Sequence, residues 1–393
     1  MTMLIRSFYM RLKMVLAICL LACCLFACGS LPSTAHAQNL LVESEQEDFR
    51  VITFADGLNH PWSLAFLPNG DMLVSERSGQ LRYIDDGQIR PTPIVGLPAV
   101  YASGQGGLLG LALHPDFAEN RWVYYAYSEG NRRANHTTLS RGSLSEDGTE
   151  LRDQEILFQV NFEKQRGFHF GGRILFRPDG TLLLTLGDGS MYLNEAQNLG
   201  NHLGSVVRLN DDGSVPFDNP FVSARLAQPE IYTYGHRNVQ GLARNPATGS
   251  IWAHEHGPYG GDEINILSPG RNYGWPRITY GIDYDGTPIS ELTESDGMEQ
   301  PIWYWVPSIA PSGMDFYQGD AFPGWNGDVF VGALAGQRLV RYELDGDRIQ
   351  SEEVLLANFG ERIRDVQTGP DGMIYLLTDD RNGRVLQLRP AGQ

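Results

Sequence analysis

The chain has 393 residues, with 45 glycines, 22 prolines and 10% aromatic residues. This composition suits a turn-rich, strand-rich globular protein and excludes disorder or long helices. A formal net charge of −17 excludes nucleic acid as a partner, because phosphate binding needs a basic surface.

Arg6, Arg11 and Lys13 precede an apolar run from Met14 to Ala27. This is the charge and length pattern of an export leader, and the run is short for a membrane span. Ala35-His36-Ala37 supplies a small-x-small cleavage site, so 1–37 reads as a signal peptide and 38–393 as one mature domain. The expected location is the periplasm or the exterior. Leu25-Phe26-Ala27-Cys28 is a looser lipoprotein pattern, and only lipidation at Cys28 would tie the protein to a membrane. All four cysteines (Cys19, Cys23, Cys24, Cys28) lie in the leader. The mature chain therefore depends on core packing or metal, with no disulfide.

Six segments then share one pattern: a short apolar strand, a turn often built on Pro and Gly, and a second apolar strand. They begin at Trp62, Leu109, Gly172, Gln240, Ser312 and Ile363. Short apolar stretches bounded by Gly, Pro, Asn and Asp are hairpin strands. Segments such as 79–84 and 383–388 add further strands. The repeat predicts an all-β fold, a six-bladed β-propeller with four-stranded antiparallel blades. In such a ring the loops entering the innermost strands meet near the axis. Those loops carry Gln105, His169, Arg237 with Asn238, Ser312 with Gly313, and Arg362 with Arg364.

Guanidinium groups pair bidentately with carboxylates, so Arg237, Arg362 and Arg364 facing one point predict an anionic ligand. His169, in Phe168-His169-Phe170-Gly171-Gly172-Arg173, is the best general base, since imidazole titrates near neutrality. His236 is a weaker candidate. His254 and His256 alternate on one strand face but lack an evident third metal ligand. In His256-Gly257-Pro258-Tyr259-Gly260-Gly261-Asp262-Glu263, turn carbonyls and the carboxylates of Asp262 and Glu263 suit calcium. An ordinary acidic turn is the alternative.

These motifs together resemble the soluble pyrroloquinoline quinone (PQQ)-dependent glucose/sorbosone dehydrogenase family, most closely its aldose sugar dehydrogenase branch. The matching segments are Gly104-Gln-Gly-Gly-Leu-Leu-Gly110, His169-Phe-Gly-Gly-Arg173, Tyr234-Gly-His-Arg-Asn-Val-Gln-Gly241, Glu255-His-Gly-Pro-Tyr-Gly-Gly-Asp-Glu-Ile-Asn265, Asn272-Tyr-Gly-Trp-Pro276 and Arg362-Ile-Arg-Asp365. The resemblance implies PQQ, a tricarboxylate quinone, in the channel mouth. It implies that His169 takes the proton of a sugar C1 hydroxyl while hydride passes to PQQ, giving a lactone. It further implies that Gln105, Arg237, Asn238, Arg362 and Arg364 hold or polarise the cofactor, with Tyr284 nearby. The carbonyls of Gly257 and Pro258 match ligands of a Ca²⁺ on PQQ, and Glu263 with the Tyr273 carbonyl matches a second, structural calcium. The implied partners are an aldose and a diffusible electron acceptor, a quinone or a cytochrome, with the protein a monomer or homodimer.

The chain departs from the pattern at Ala335 and Ser205, where members of the family carry lysines. Arg338 is a candidate replacement cation. Two other functions share the architecture: a calcium-dependent lactonase with a carboxylate-lined channel, and a non-catalytic propeller that binds carbohydrate or protein.

Overall fold

Gly180 and Gly372 close Pro-Asp-Gly turns at φ +82° and +76°, a left-handed conformation that costs glycine nothing. These turns fold the repeats into hairpins. The computed structural model describes residues 39–392. The expected signal peptide (1–37), with Cys28, lies outside the described residues.

The repeats form six antiparallel sheets arranged as a six-bladed β-propeller, as the sequence predicts. The innermost strands are Pro61–Phe66, Leu108–Leu113, Ile174–Phe176, Val239–Arg244, Pro311–Phe316 and Ile363–Thr368. Five sheets have four strands. The sixth has five, because Phe49–Leu58 pairs with Gly383–Pro390 and Leu40–Val42 adds beyond it. The ring is thus closed by a strand that precedes the first repeat. Among the described residues the only α-helix is Phe117–Asn120, beside two short 3₁₀ segments.

Burial follows position within a blade. The second strands Met72–Glu76, Ile251–Glu255, Val329–Ala333 and Ile374–Thr378 are buried at every residue. Both their faces meet neighbouring blades, so they read as continuous apolar runs. Outer strands such as Arg348–Leu355 alternate between exposed and covered residues. Each interface between adjacent blades has its own apolar cluster. Trp252 and Phe316, for example, meet edge to face at 5.4 Å across one of them. Each fully buried large apolar side chain contributes about 1.5–3 kcal/mol, so packing between blades adds to the strand pairing that closes the ring.

Across the axis, Arg173 Nη1 reaches Asp365 at 2.6 Å, and its other nitrogens donate to the Gln240 and Arg364 carbonyls. The Arg173 guanidinium also stacks 4.3 Å from the Trp62 ring. Trp62, Leu109 and Phe170 form a small apolar cluster beside it. A void of about 40 Å³ lined by Ser63, Arg173, Met314 and Gln367 also lies on the axis. The wider space is at the mouth formed by the loops before the inner strands.

Candidate active site

His169 sits where the chain enters an inner strand, at φ +49°, an unusual conformation for a residue with a Cβ. Gln105 Oε1 accepts its backbone N–H at 2.8 Å. Opposite, Gly187 passes so close that a Cβ there would lie 2.4 Å from the His169 carbonyl oxygen. That close approach places Asp188 against the imidazole. Asp188 Oδ1 lies 2.6 Å from His169 Nδ1, and both residues are buried. Asp188 also accepts from Ser190 N and from Trp275 Nε1 at 2.8 Å.

The electrostatics follow from this geometry. Burial pushes the His169 pKa down; Asp188 pulls it up, while Arg237 and Lys164 push it further down. Burial alone would raise Asp188, but His169, Arg237 and the Ser190 N–H outweigh it and hold the carboxyl below its ordinary range. An ionised carboxylate only accepts, so Nδ1 carries the proton and the Nε2 lone pair is left for chemistry.

A cavity of about 250 Å³ opens alongside, lined by Trp62, Arg77, Gln105, Phe170, Gly171, Gln240, His256, Tyr284, Ala310, Leu334, Arg362 and Arg364. Gln105, Tyr284, Arg362 and Arg364, all expected at the cofactor, therefore line one cavity, and His256 joins them. His169 is adjacent through Phe170 and Gly171. Asn238 Oδ1 accepts from Gly171 N at 3.2 Å, tying the strand of Arg237 to that of His169. Tyr284 is 70% exposed, at the cavity rim.

The lining is cationic. Arg362 and Arg364 share one carboxylate, Asp379, at 2.9 and 3.2 Å. Arg364 is buried and its Nε has no acceptor among the described residues. Burial lowers its pKa to about 10, against the pull of Asp379, so it remains charged at neutral pH. Arg77 also lines the cavity, and no carboxylate of the described residues pairs with it. Arg338 does not line it; its Nε donates to the Gly336 carbonyl. Arg77, and not Arg338, is therefore the extra cation at the site. A calcium lactonase needs the opposite, a carboxylate-lined channel.

A second, smaller cavity of about 10 Å³ is lined by Arg237, Glu255, Gly257, Glu263, Tyr273 and neighbours. Glu255 and Glu263 face each other across adjacent strands. Burial and the Glu255 charge both raise the Glu263 pKa. Glu255 accepts from His236 Nδ1 at 2.7 Å and from Arg237 N. Glu255 thus joins Glu263 and Tyr273, the two residues expected at a structural calcium. Asp262, expected from its motif to offer a carboxylate to calcium, is engaged elsewhere. Asp262 accepts from Gly257 N, Ser308 Oγ, Ile309 N and Ala310 N, so its lone pairs are spent on loop structure. The Gly257 carbonyl accepts from Arg237 Nη1 at 2.7 Å. That carbonyl, expected with Pro258 to ligate calcium, already accepts from a guanidinium. His256, neutral because burial lowers its pKa to about 3, donates Nε2–H to the Pro311 carbonyl at 2.7 Å. With His254 it forms no transition-metal site.

The family model for glucose/sorbosone dehydrogenases matches residues 58–387. The chain is 44% identical over 339 residues to the aldose sugar dehydrogenase YliI of Escherichia coli, covering 85% of this chain and 91% of that one. A crystal structure of a glucose dehydrogenase superposes with a TM-score of 0.84 at 47% identity, over 86% of this chain and 98% of the other. The PQQ-bound form of an aldose sugar dehydrogenase from Streptomyces coelicolor superposes with a TM-score of 0.71 at 30% identity, over 90% of this chain and 98% of that one.

Proposed function

The chain belongs to the glucose/sorbosone dehydrogenase family, and from that premise we propose that it is a PQQ-dependent aldose dehydrogenase oxidising the C1 hydroxyl to a lactone. The observation that carries the reading is the cation surplus at the mouth. Arg77, Arg362 and Arg364 line one cavity in which Asp379 pairs with Arg362 and Arg364 and no described carboxylate pairs with Arg77, inside a chain of net charge −17. Confined guanidinium groups without counter-ions are costly, and a tricarboxylate satisfies them. The unpartnered Nε of Arg364 supports the fit.

When bound, PQQ supplies the carbon that accepts hydride. The chain's own residues do the rest. Arg77, Arg362 and Arg364 would hold its carboxylates, and Gln105 lines the cavity while accepting from the His169 backbone. His169 Nε2 takes the proton of the sugar hydroxyl. Asp188 keeps Nδ1 protonated, orients the ring and stabilises the imidazolium that forms. Asn238 locks the His169 segment to that of Arg237. Tyr284 offers an aromatic face at the rim for the sugar.

Calcium belongs to the same proposal, held by Glu263, Glu255 and the Tyr273 carbonyl around the small cavity, where paired buried carboxylates ask for a cation. A second calcium at the Gly257 and Pro258 carbonyls would share the Gly257 carbonyl with Arg237 or displace it. The leader at 1–37 is proposed to export the protein to the periplasm, with a diffusible acceptor receiving the electrons.

The test is an absorbance titration of purified protein with PQQ, followed by sugar:dye assays on adding PQQ and Ca²⁺. Stoichiometric binding and activity on an aldose are expected, and His169→Ala should bind PQQ yet turn over slowly. Absence of PQQ binding overturns the reading.

A further inference from the structure

Of the 30 basic residues, two are lysines, Lys13 and Lys164. Every cation of the propeller except Lys164 is therefore an arginine. Lys164 is 1% exposed, which is rare for this side chain. Its backbone exchanges hydrogen bonds with Asn135 in both directions at 2.9 Å, fixing its Cα at the end of a long hairpin strand. The side chain runs past Gly189, where a Cβ would come within 2.8 Å of Lys164 Cδ. It ends with Nζ 2.6 Å from the Phe168 carbonyl oxygen and 3.2 Å from the centroid of the Phe170 ring.

Phe168 and Phe170 are the two neighbours of His169. Between them the His169 backbone is left-handed, at φ +49°. A residue with a Cβ keeps that conformation only where its surroundings over-determine it. We infer that Lys164 is a positioning residue for His169: one amine grips the carbonyl before it and the ring after it, and so aims the imidazole at Asp188. This rests on the proposed role of His169 as the base.

The choice of lysine follows from the space. A guanidinium is a wide planar fork that wants several acceptors, whereas an ammonium is compact on a narrow stem. Here one carbonyl and one aromatic face are on offer, and Gly189 closes the side. Burial pushes the amine down to about 7, with Asp188 pulling it up. The bond to Phe168 survives deprotonation, because a neutral amine still donates; the attraction to Phe170 weakens.

The experiment uses nitrogen-15 NMR of histidine side chains in cofactor-free protein, wild type against Lys164→Met. In the variant the slowly exchanging Nδ1–H that His169 shares with Asp188 should be lost. Turnover of the PQQ-loaded enzyme should fall by roughly tenfold to a hundredfold, as for small misplacements of a catalytic group. PQQ affinity and sugar KM should stay nearly unchanged. Lys164→Cys alkylated with bromoethylamine rebuilds the amine, and should restore both signal and turnover; the natural cysteines all lie in 19–28. An unchanged imidazole signal and unchanged kcat in Lys164→Met overturn the inference. If that variant does not fold, lysine-labelled wild-type protein gives one propeller signal. A protected amine coupled to the Phe168 carbonyl supports the inference, and a freely exchanging one overturns it. Full turnover by His169→Ala removes the base assignment, yet leaves the dependence of the imidazole signal on Lys164 standing.

Discussion

Asp188 holds His169 Nδ1 at 2.6 Å from a side chain with no solvent contact, and its second oxygen is held by Trp275 Nε1 at 2.8 Å. The acid is thus oriented before it orients the base. Asp188→Asn preserves shape but removes the charge and permits the wrong imidazole tautomer. The expected loss in kcat is about 10²- to 10⁴-fold, as for other orienting carboxylates. Steady-state kinetics of the PQQ-loaded variant check this, with PQQ affinity retained as the control.

The pH profile has a definite sign. The base acts when neutral, and burial holds His169 below its ordinary value of 6.5. A lowered pKa keeps the imidazole neutral to lower pH, so the acid limb of kcat/KM should have its midpoint below 6.5. Asp188 is the group pulling the other way, so the residual activity of Asp188→Asn should show a limb at still lower pH. A limb in wild type above the ordinary histidine value would contradict the assignment.

Arg77→Ala and Arg364→Ala should each weaken PQQ binding by roughly ten- to a hundredfold, the effect of losing a charged hydrogen bond of about 1.5–3 kcal/mol. Arg338→Ala should leave affinity unchanged, because Arg338 is turned to the Gly336 carbonyl. Fluorescence or absorbance titration of the cofactor separates the three variants.

Calcium should decide the sign of a single substitution. Without metal, Glu263 is raised by burial and by Glu255. The folded state then binds more protons than the unfolded one above the ordinary carboxylate range, so stability falls as pH rises. Glu263→Gln should therefore raise the melting temperature in chelator. In excess Ca²⁺ the same variant should melt below wild type, because a ligand is gone. Thermal scans of both proteins in both buffers test this. A variant that behaves identically in the two would remove the metal from this cavity.

Much of the architecture was legible in the sequence, for physical reasons that can be named. The Pro-Asp-Gly turns demand glycine at positive φ, and the doubly buried second strands read as unbroken apolar runs. Loops before inner strands converge in any propeller, which is why Gln105, Arg362 and Arg364 were found. Phe49–Leu58 escaped because its partner strand is 383–390, a pairing that no local pattern announces. Asp188 lies after a second strand, between two glycines, where an acidic residue reads as an ordinary turn. Arg77, in Ser75-Glu76-Arg77-Ser78-Gly79, reads as a surface hairpin. Asp262 misled because a loop-capping carboxylate and a metal ligand look alike until the donors are seen.

The pairing of Phe49–Leu58 with Gly383–Pro390 has a temporal consequence. The sheet that presents Arg362 and Arg364 needs both Phe49–Leu58 and Gly383–Pro390, so it cannot be completed until residues 383–390 have been synthesised. A nascent chain, or one clipped within 383–390, has most of its blades but an open ring and no finished anion cradle. Closure of the ring and completion of the anion cradle are thus one event, and binding of the proposed cofactor would report on whether residues 383–390 are in place.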